Sequence, residues 1–239
     1  MSSIASAFLG FYSFTLPNTP PKLGSNEKLK IREILGLDAL SMLKDKGFLF
    51  FFIASILICI PLAFYYQHAN QFLNEIGMKA AASKMILGQI SEVLFLLLLP
   101  LFIKRYGIKN ALIVGILAWG VRYMLFAFGD IGVKSWMLIF GILLHGVCYD
   151  FFFVSGQIYT DFKAGEKYKS TAQGLITLAT YGLGMLIGFR FAGWLTDQYI
   201  SDIGHLWKNI WIQPAIFSFV VLTLFLIFFK NETIKFKSL

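Results

Sequence analysis

Six apolar blocks divide the chain: Gly47–Tyr66, Met85–Ile103, Ala111–Phe128, Trp136–Tyr159, Thr171–Leu195 and Ile210–Phe229. Crossing ~30 Å of hydrocarbon as a helix takes about twenty apolar residues, and each block has that length. Charges, Gly or Asn separate each block from the next. Another apolar stretch, Met1–Leu16, stops at Pro-Asn-Thr-Pro-Pro-Lys, a run that no helix continues through. It has no Lys/Arg-rich start and no clear cleavage site follows it, so it does not read as a signal peptide. It reads instead as the end of a spanning helix whose beginning is missing. Gly24–Arg32 is polar and basic, a loop. Ile34–Lys46 is largely apolar with charges at its end, and reads as a short helix lying on the membrane surface or as a soluble linker helix. The expected organisation is a helix end at 1–16, a linking segment at 17–46, a six-helix bundle at 47–229 and a polar tail at 230–239. The fold class is an all-α membrane protein.

Composition agrees with the pattern. Of 239 residues, 57% are hydrophobic, 17% aromatic and 14% charged, with a mean hydropathy of +0.70. A soluble domain carries about a quarter charged residues. The net charge of +8 does not point to nucleic acid in so apolar a chain. It points to basic loops against an anionic inner leaflet. The distribution of Lys and Arg supports this. One set of connections holds Lys22, Lys28, Lys30, Arg32, Lys44, Lys46, Lys104, Arg105, Lys109, Lys163, Lys167, Lys169, Lys230, Lys235 and Lys237, fifteen in all; the opposite set holds Lys79, Lys84, Lys134 and Lys208. Fifteen against four predicts that residues 17–46 and the C-terminal tail are cytoplasmic. Trp136, Trp194, Trp207 and Trp211 then fall near the outer ends, as an aromatic belt requires. Cys59 and Cys148 lie inside apolar blocks, as small packing residues rather than a disulfide framework.

The polar positions inside the blocks are the candidates for chemistry. Gln89 and Glu92 are three apart in the second block, so a helix places them on one face. A carboxyl and an amide side by side in a membrane suggest a polar cavity, because a carboxylate facing lipid is costly. Arg122 lies at a similar depth, about 10 Å below the outer boundary at 1.5 Å per residue. A structural ion pair between Glu92 and Arg122 is therefore the rival to a role in substrate or proton handling. His145 and Tyr149, at i and i+4, share a face of the fourth span, with His145 at roughly the depth of Glu92. Asp150 lies nearer the cytoplasmic side and either handles substrate or protons or anchors a loop. Gln157, seven residues on, is expected on the same face as Asp150. Tyr65, Tyr66, Gln67, His68 and Asn70 end the first span, either at the interface or lining the cavity. Gly184 and Gly188 make a Gly-x-x-x-Gly that allows close helix approach.

Enzyme signatures are missing. There is no His-Glu-x-x-His, no Gly-x-Ser-x-Gly, no Cys/His pair at ligand spacing and no Gly-rich phosphate loop. Gly182-x-Gly184 lies within an apolar block, where no phosphate binds. No metal or organic cofactor is expected.

Six spans with both ends on one side match one half of a twelve-span transporter. Two substrings carry a resemblance. Gln89-Ile90-Ser91-Glu92 is followed by Pro100, Arg105-Tyr106-Gly107-Ile108-Lys109-Asn110, Ala118-Trp119, Arg122 and Ala127-Phe128-Gly129-Asp130. Gly146-Val147-Cys148-Tyr149-Asp150-Phe151-Phe152 is followed by Ser155-Gly156 and Ala172-Gln173-Gly174. With Leu35-Gly36-Leu37-Asp38-Ala39 and Phe72-Leu73, the chain resembles the bacterial nucleoside permease (nucleoside:H⁺ symporter) family of the major facilitator superfamily, over its C-terminal half. The resemblance implies proton-driven nucleoside import across the inner membrane, with a partnering N-terminal six-helix half. It assigns nucleoside contact to Gln89 and Glu92, matches Tyr149 to a family aromatic, and makes Asp150 a candidate for proton coupling or substrate contact, the proton being the coupling ion. The residues themselves add His145 and Tyr66 as cavity neighbours and Glu92 as a second candidate for proton coupling. The chain departs at Ala63 and Tyr66, where the family has Gln and Asn, and at His145, where it has Tyr. The alternatives are a membrane fragment without transport of its own, and a major-facilitator transporter of another small polar solute such as a sugar.

Overall fold

The computed structural model describes residues 2–18, 37–202 and 204–230. The chain forms two compact units, residues 1–35 and 36–239. The expected loop Gly24–Arg32 lies outside the described residues, as do Lys22, Lys235 and Lys237. In the first unit, helix α1 (Ser2–Ser13) is apolar and exposed, and as an element it is shorter than a membrane crossing.

The second unit is built from six helices long and apolar enough to cross a membrane: α2 (Lys46–Glu75), α3 (Ala81–Tyr106), α4 (Ile108–Phe128), α5 (Ser135–Glu166), α6 (Tyr168–Asp197) and α7 (Trp207–Phe228). All six expected spans are present, and α2 runs nine residues beyond Tyr66. The surface helix expected over Ile34–Lys46 is a tighter 3-10 helix at Leu37–Lys44, with residues 34–36 outside the described residues. It ends where the Asp45 N–H donates to Met42 O, 3.0 Å away, because Asp45 is already committed as the N-cap of α2. The Asp45 carboxylate accepts from Phe48 N at 2.8 Å and from Lys163 Nζ at 3.1 Å.

Lipid tails are as apolar as Leu, so helix association here rests on close packing rather than on water exclusion. α4 packs on α7 and α5, α3 on α5, and α2 on α6 and α7. The core between them is aromatic. Tyr123 stacks on Trp211 with centroids 5.4 Å apart, and Phe72 and Phe126 lie against the same indole. The buried Tyr123 hydroxyl donates to Pro61 O, tying α4 to α2 beside the proline that removes one bond from the α2 ladder. On the α2–α6 side, an added Cβ at Gly188 would lie 2.7 Å from Ala63 Cβ and 2.9 Å from Cys59 O, and one at Gly184 2.7 Å from Cys59 Cβ. The Gly-x-x-x-Gly therefore brings α6 onto the backbone of α2. Cys59 and Cys148 are free, buried packing residues.

Two spans contain π-helical turns, Asp150–Val154 in α5 and Leu178–Gly184 in α6. Ser155 N–H bonds to Asp150 O, five residues back, so the turn takes in an extra residue. This overturns the face expected from α-helical spacing: Asp150 is buried and Gln157 is exposed. A two-residue hairpin, β1 (Ile200–Ser201) and β2 (Gly204–His205), links α6 to α7.

Candidate functional site

The polar groups within the spans converge where α3 meets α5. Ser91 Oγ donates to Gly88 O at 2.6 Å and accepts from Gly146 N at 3.1 Å. A Cβ on Gly146 would fall 2.5 Å from Ser91 C and O and 2.6 Å from Glu92 N, so the two backbones touch at the level of the carboxyl. That contact places Glu92 beside His145, with Oε2 3.6 Å from Nε2. The other ring nitrogen of His145, Nδ1, is 3.1 Å from Arg122 Nη1.

Arg122 is fully buried. Its guanidinium carbon lies 3.6 Å from the centroid of the Tyr65 ring and within 5.6 Å of Trp119 and Phe126. An aromatic box of this kind stabilises a desolvated cation through the negative ring faces. Tyr65 also stacks on His145 at 5.4 Å. The Glu92–Arg122 ion pair, the rival reading, is not found among the described residues: His145 stands between the two, and the order is Glu92, His145, Arg122. Nε and Nη2 of Arg122 have no hydrogen-bond partner among the described residues.

The other expected residues are arranged around this line. Tyr149 lies 6.1 Å from His145 between ring centroids, and its hydroxyl meets that of Tyr181 at 2.7 Å, bridging α5 to α6. Tyr66, 49% exposed, lies 6.0 Å from Tyr65. Gln89 is exposed, and the Glu92 side chain is 30% exposed, so the α3 polar pair opens outward from the bundle. Asp150 is 1% exposed, and its Oδ2 has no partner among the described residues. Of the residues ending the first block, Gln67 and Asn70 are exposed, whereas His68 is buried and shares a bond with Thr196 Oγ1 at 3.1 Å.

Tyr181 and Ser91 were not singled out by sequence reasoning. The signal for Ser91 was its place between Gln89 and Glu92; Tyr181 had none beyond its position in an apolar span. Two further polar clusters lie at the ends of the bundle. Glu75 accepts from His205 N at 2.7 Å and pairs with His205 Nδ1 at 2.8 Å, clamping the hairpin to the end of α2. Asp161 pairs with Lys169 at 3.0 Å and accepts from Gln173 Nε2 at 2.6 Å, joining α5 to α6. Among the described residues no cluster of three or more His, Cys, Asp or Glu is placed to hold a metal.

A half-open carboxyl, an exposed amide and tyrosine hydroxyls on one side of an apolar bundle can bind a solute rich in hydroxyl and amide groups. Comparison with known proteins fits that chemistry. The chain is 44% identical over 236 residues to the putative nucleoside transporter YegT of Escherichia coli (strain K12), covering 95% of this chain and 55% of that protein. It is 31% identical over 242 residues to the nucleoside permease NupG of the same organism, covering 96% and 57%. A crystal structure of a mutant form of NupG superposes with a TM-score of 0.82 at 31% identity, covering 94% of this chain and 58% of that one. The chain therefore spans little more than half the length of the curated relatives it matches. The profile of the nucleoside H⁺ symporter family matches residues 1–234, and this multi-pass membrane protein belongs to that family.

Proposed function

We propose that the chain supplies one half of a proton-coupled nucleoside importer of the bacterial inner membrane, with Gln89, Glu92, His145, Tyr149 and Tyr66 forming one wall of the nucleoside site. The observation that carries this reading is the outward-opening Gln89–Glu92 face, backed by the buried His145. A nucleoside offers ribose hydroxyls and a base edge. Glu92 accepts from hydroxyls, Gln89 both donates and accepts, and Tyr149 or Tyr66 stacks on the base. Glu92 and the buried Asp150 are the proton carriers in this reading, because an ionisable group in a span is retained for such work more often than for packing. In this reading residues 17–46 and the C-terminal tail are cytoplasmic, which the positive-inside bias supports. A second six-helix half closes the site, as the length of the relatives supports.

The test is uptake of labelled uridine into vesicles under an imposed proton gradient, with the chain paired with an N-terminal six-helix half. Glu92→Gln is expected to abolish accumulation above equilibrium. Undiminished accumulation by that variant overturns the assignment of Glu92. The chain alone in liposomes is expected to transport nothing, and uptake by it would remove the need for a second half.

A further inference from the structure

We propose that Arg122 is a positioning residue that locks His145 in one neutral tautomer, with Nδ1 bare and the proton on Nε2, so that the ring presents an N–H donor beside Glu92. The argument is one of donor inventory. A guanidinium has five N–H donors, no acceptor, and stays protonated in proteins. At 3.1 Å from Arg122 Nη1, Nδ1 of His145 must therefore be the acceptor, which a protonated Nδ1 cannot be. A neutral ring whose Nδ1 accepts carries its hydrogen on Nε2, the nitrogen that faces Glu92 Oε2.

The surroundings hold the arrangement rigidly. Arg122 is pinned over Tyr65 at 3.6 Å and boxed by Trp119 and Phe126. The His145 ring stacks on the same Tyr65, and the Gly146–Ser91 backbone contact fixes its distance from α3. Among the described residues no carboxylate pairs with Arg122 and its Nε and Nη2 are unpartnered, so its Nη1 is left to the His145 imidazole.

The 3.6 Å between Nε2 and Oε2 is too long for a direct hydrogen bond. A hydroxyl oxygen about 2.8 Å from each atom would accept from Nε2–H and donate to the carboxyl. His145 and Glu92 would thus read one hydroxyl as donor and acceptor together. This last step rests on the nucleoside reading above, whereas the tautomer does not.

The experiment is ¹⁵N NMR of the full chain labelled at histidine, without any solute, so that its failure is separate from a failure of the transport assay. The chain has three histidines, and the His145→Asn variant assigns the signals by loss. The expected result at neutral pH is a bare Nδ1 and a protonated Nε2 for His145. In Arg122→Met the signals are expected to shift, as the Nδ1–H tautomer becomes populated. A protonated Nδ1 in the unmodified chain, or an unchanged tautomer in Arg122→Met, overturns the proposal. Should Arg122→Met fail to fold, the unmodified chain decides alone: a bare Nδ1 sustains the proposal and a protonated one ends it.

Discussion

Asp45 shows how much one side chain does at the start of a span. Its carboxylate caps α2 by accepting from Phe48 N, and that bond, followed by the Lys163 ammonium, holds its pKa below the ordinary value of 3.8. A folded-state value below the unfolded one means that the cap's contribution is complete above the unfolded value and is lost as pH falls through the folded one. Asp45→Ala is expected to cost about 1 kcal/mol locally, roughly a fivefold loss of hydrogen-exchange protection in the first turn of α2. Asp45→Asn keeps a cap oxygen and is expected to lose less, since an exposed pair with Lys163 is worth ~0–1 kcal/mol. Protection unchanged in the alanine variant would remove Asp45 as a cap. The intramembrane residues were legible to a lesser degree. Depth along each helix brought Glu92, Arg122 and His145 to one level, but depth carries no information on rotation about the axis. The sequence therefore left Glu92 facing Arg122, where the structure interposes His145.

At the scale of elements, the six spans were legible because the demand for about twenty apolar residues is absolute in hydrocarbon. The π-helical turns were not, because nothing in Asp150-Phe-Phe-Phe-Val separates a turn with one extra residue from an α-helical one. The shared face expected for Asp150 and Gln157 failed for that reason. Small residues were the more informative signal. Gly184 and Gly188 seat α6 against the α2 backbone, where a Cβ at Gly188 meets Ala63 Cβ, Cys59 O and Ile60 Cα at 3.0 Å or less. Gly188→Leu is expected to destabilise the bundle by about 1–3 kcal/mol through forced separation of the helices. Gly174 is the contrast, since it is helical, exposed and has nothing within 4 Å of an added Cβ. Gly174→Ala is expected to stabilise by about 0.5–1 kcal/mol, from helix propensity alone. Denaturation midpoints of the two variants in detergent are the measurement. Equal shifts in one direction would mean that the Gly-x-x-x-Gly seam does not join α2 to α6.

At the scale of the whole molecule, the question is which exposed surface meets lipid and which meets solute. α3 buries only a narrow strip of itself, Ala81, Gly88, Ser91, Leu99 and Ile103, and leaves the rest outside. On that exposed surface Gln89 stands on one flank, and Leu94, five residues on, is about 140° further round the helix. If the Gln89 flank lines a water-filled cavity and the Leu94 flank meets lipid, cysteines at the two positions react differently with a water-soluble maleimide, since a thiolate forms only in water. Both native thiols, Cys59 and Cys148, are buried and leave the background low. In the chain paired with an N-terminal six-helix half, Gln89→Cys is expected to be labelled and to be protected by added uridine. Leu94→Cys is expected to stay unlabelled with or without it. Labelling of both cysteines without protection would make the Gln89 flank ordinary protein surface. Labelling of neither would bury it against the second half. Either outcome removes Gln89 from the solute's path, while leaving the contact between His145 and Arg122 where it stands.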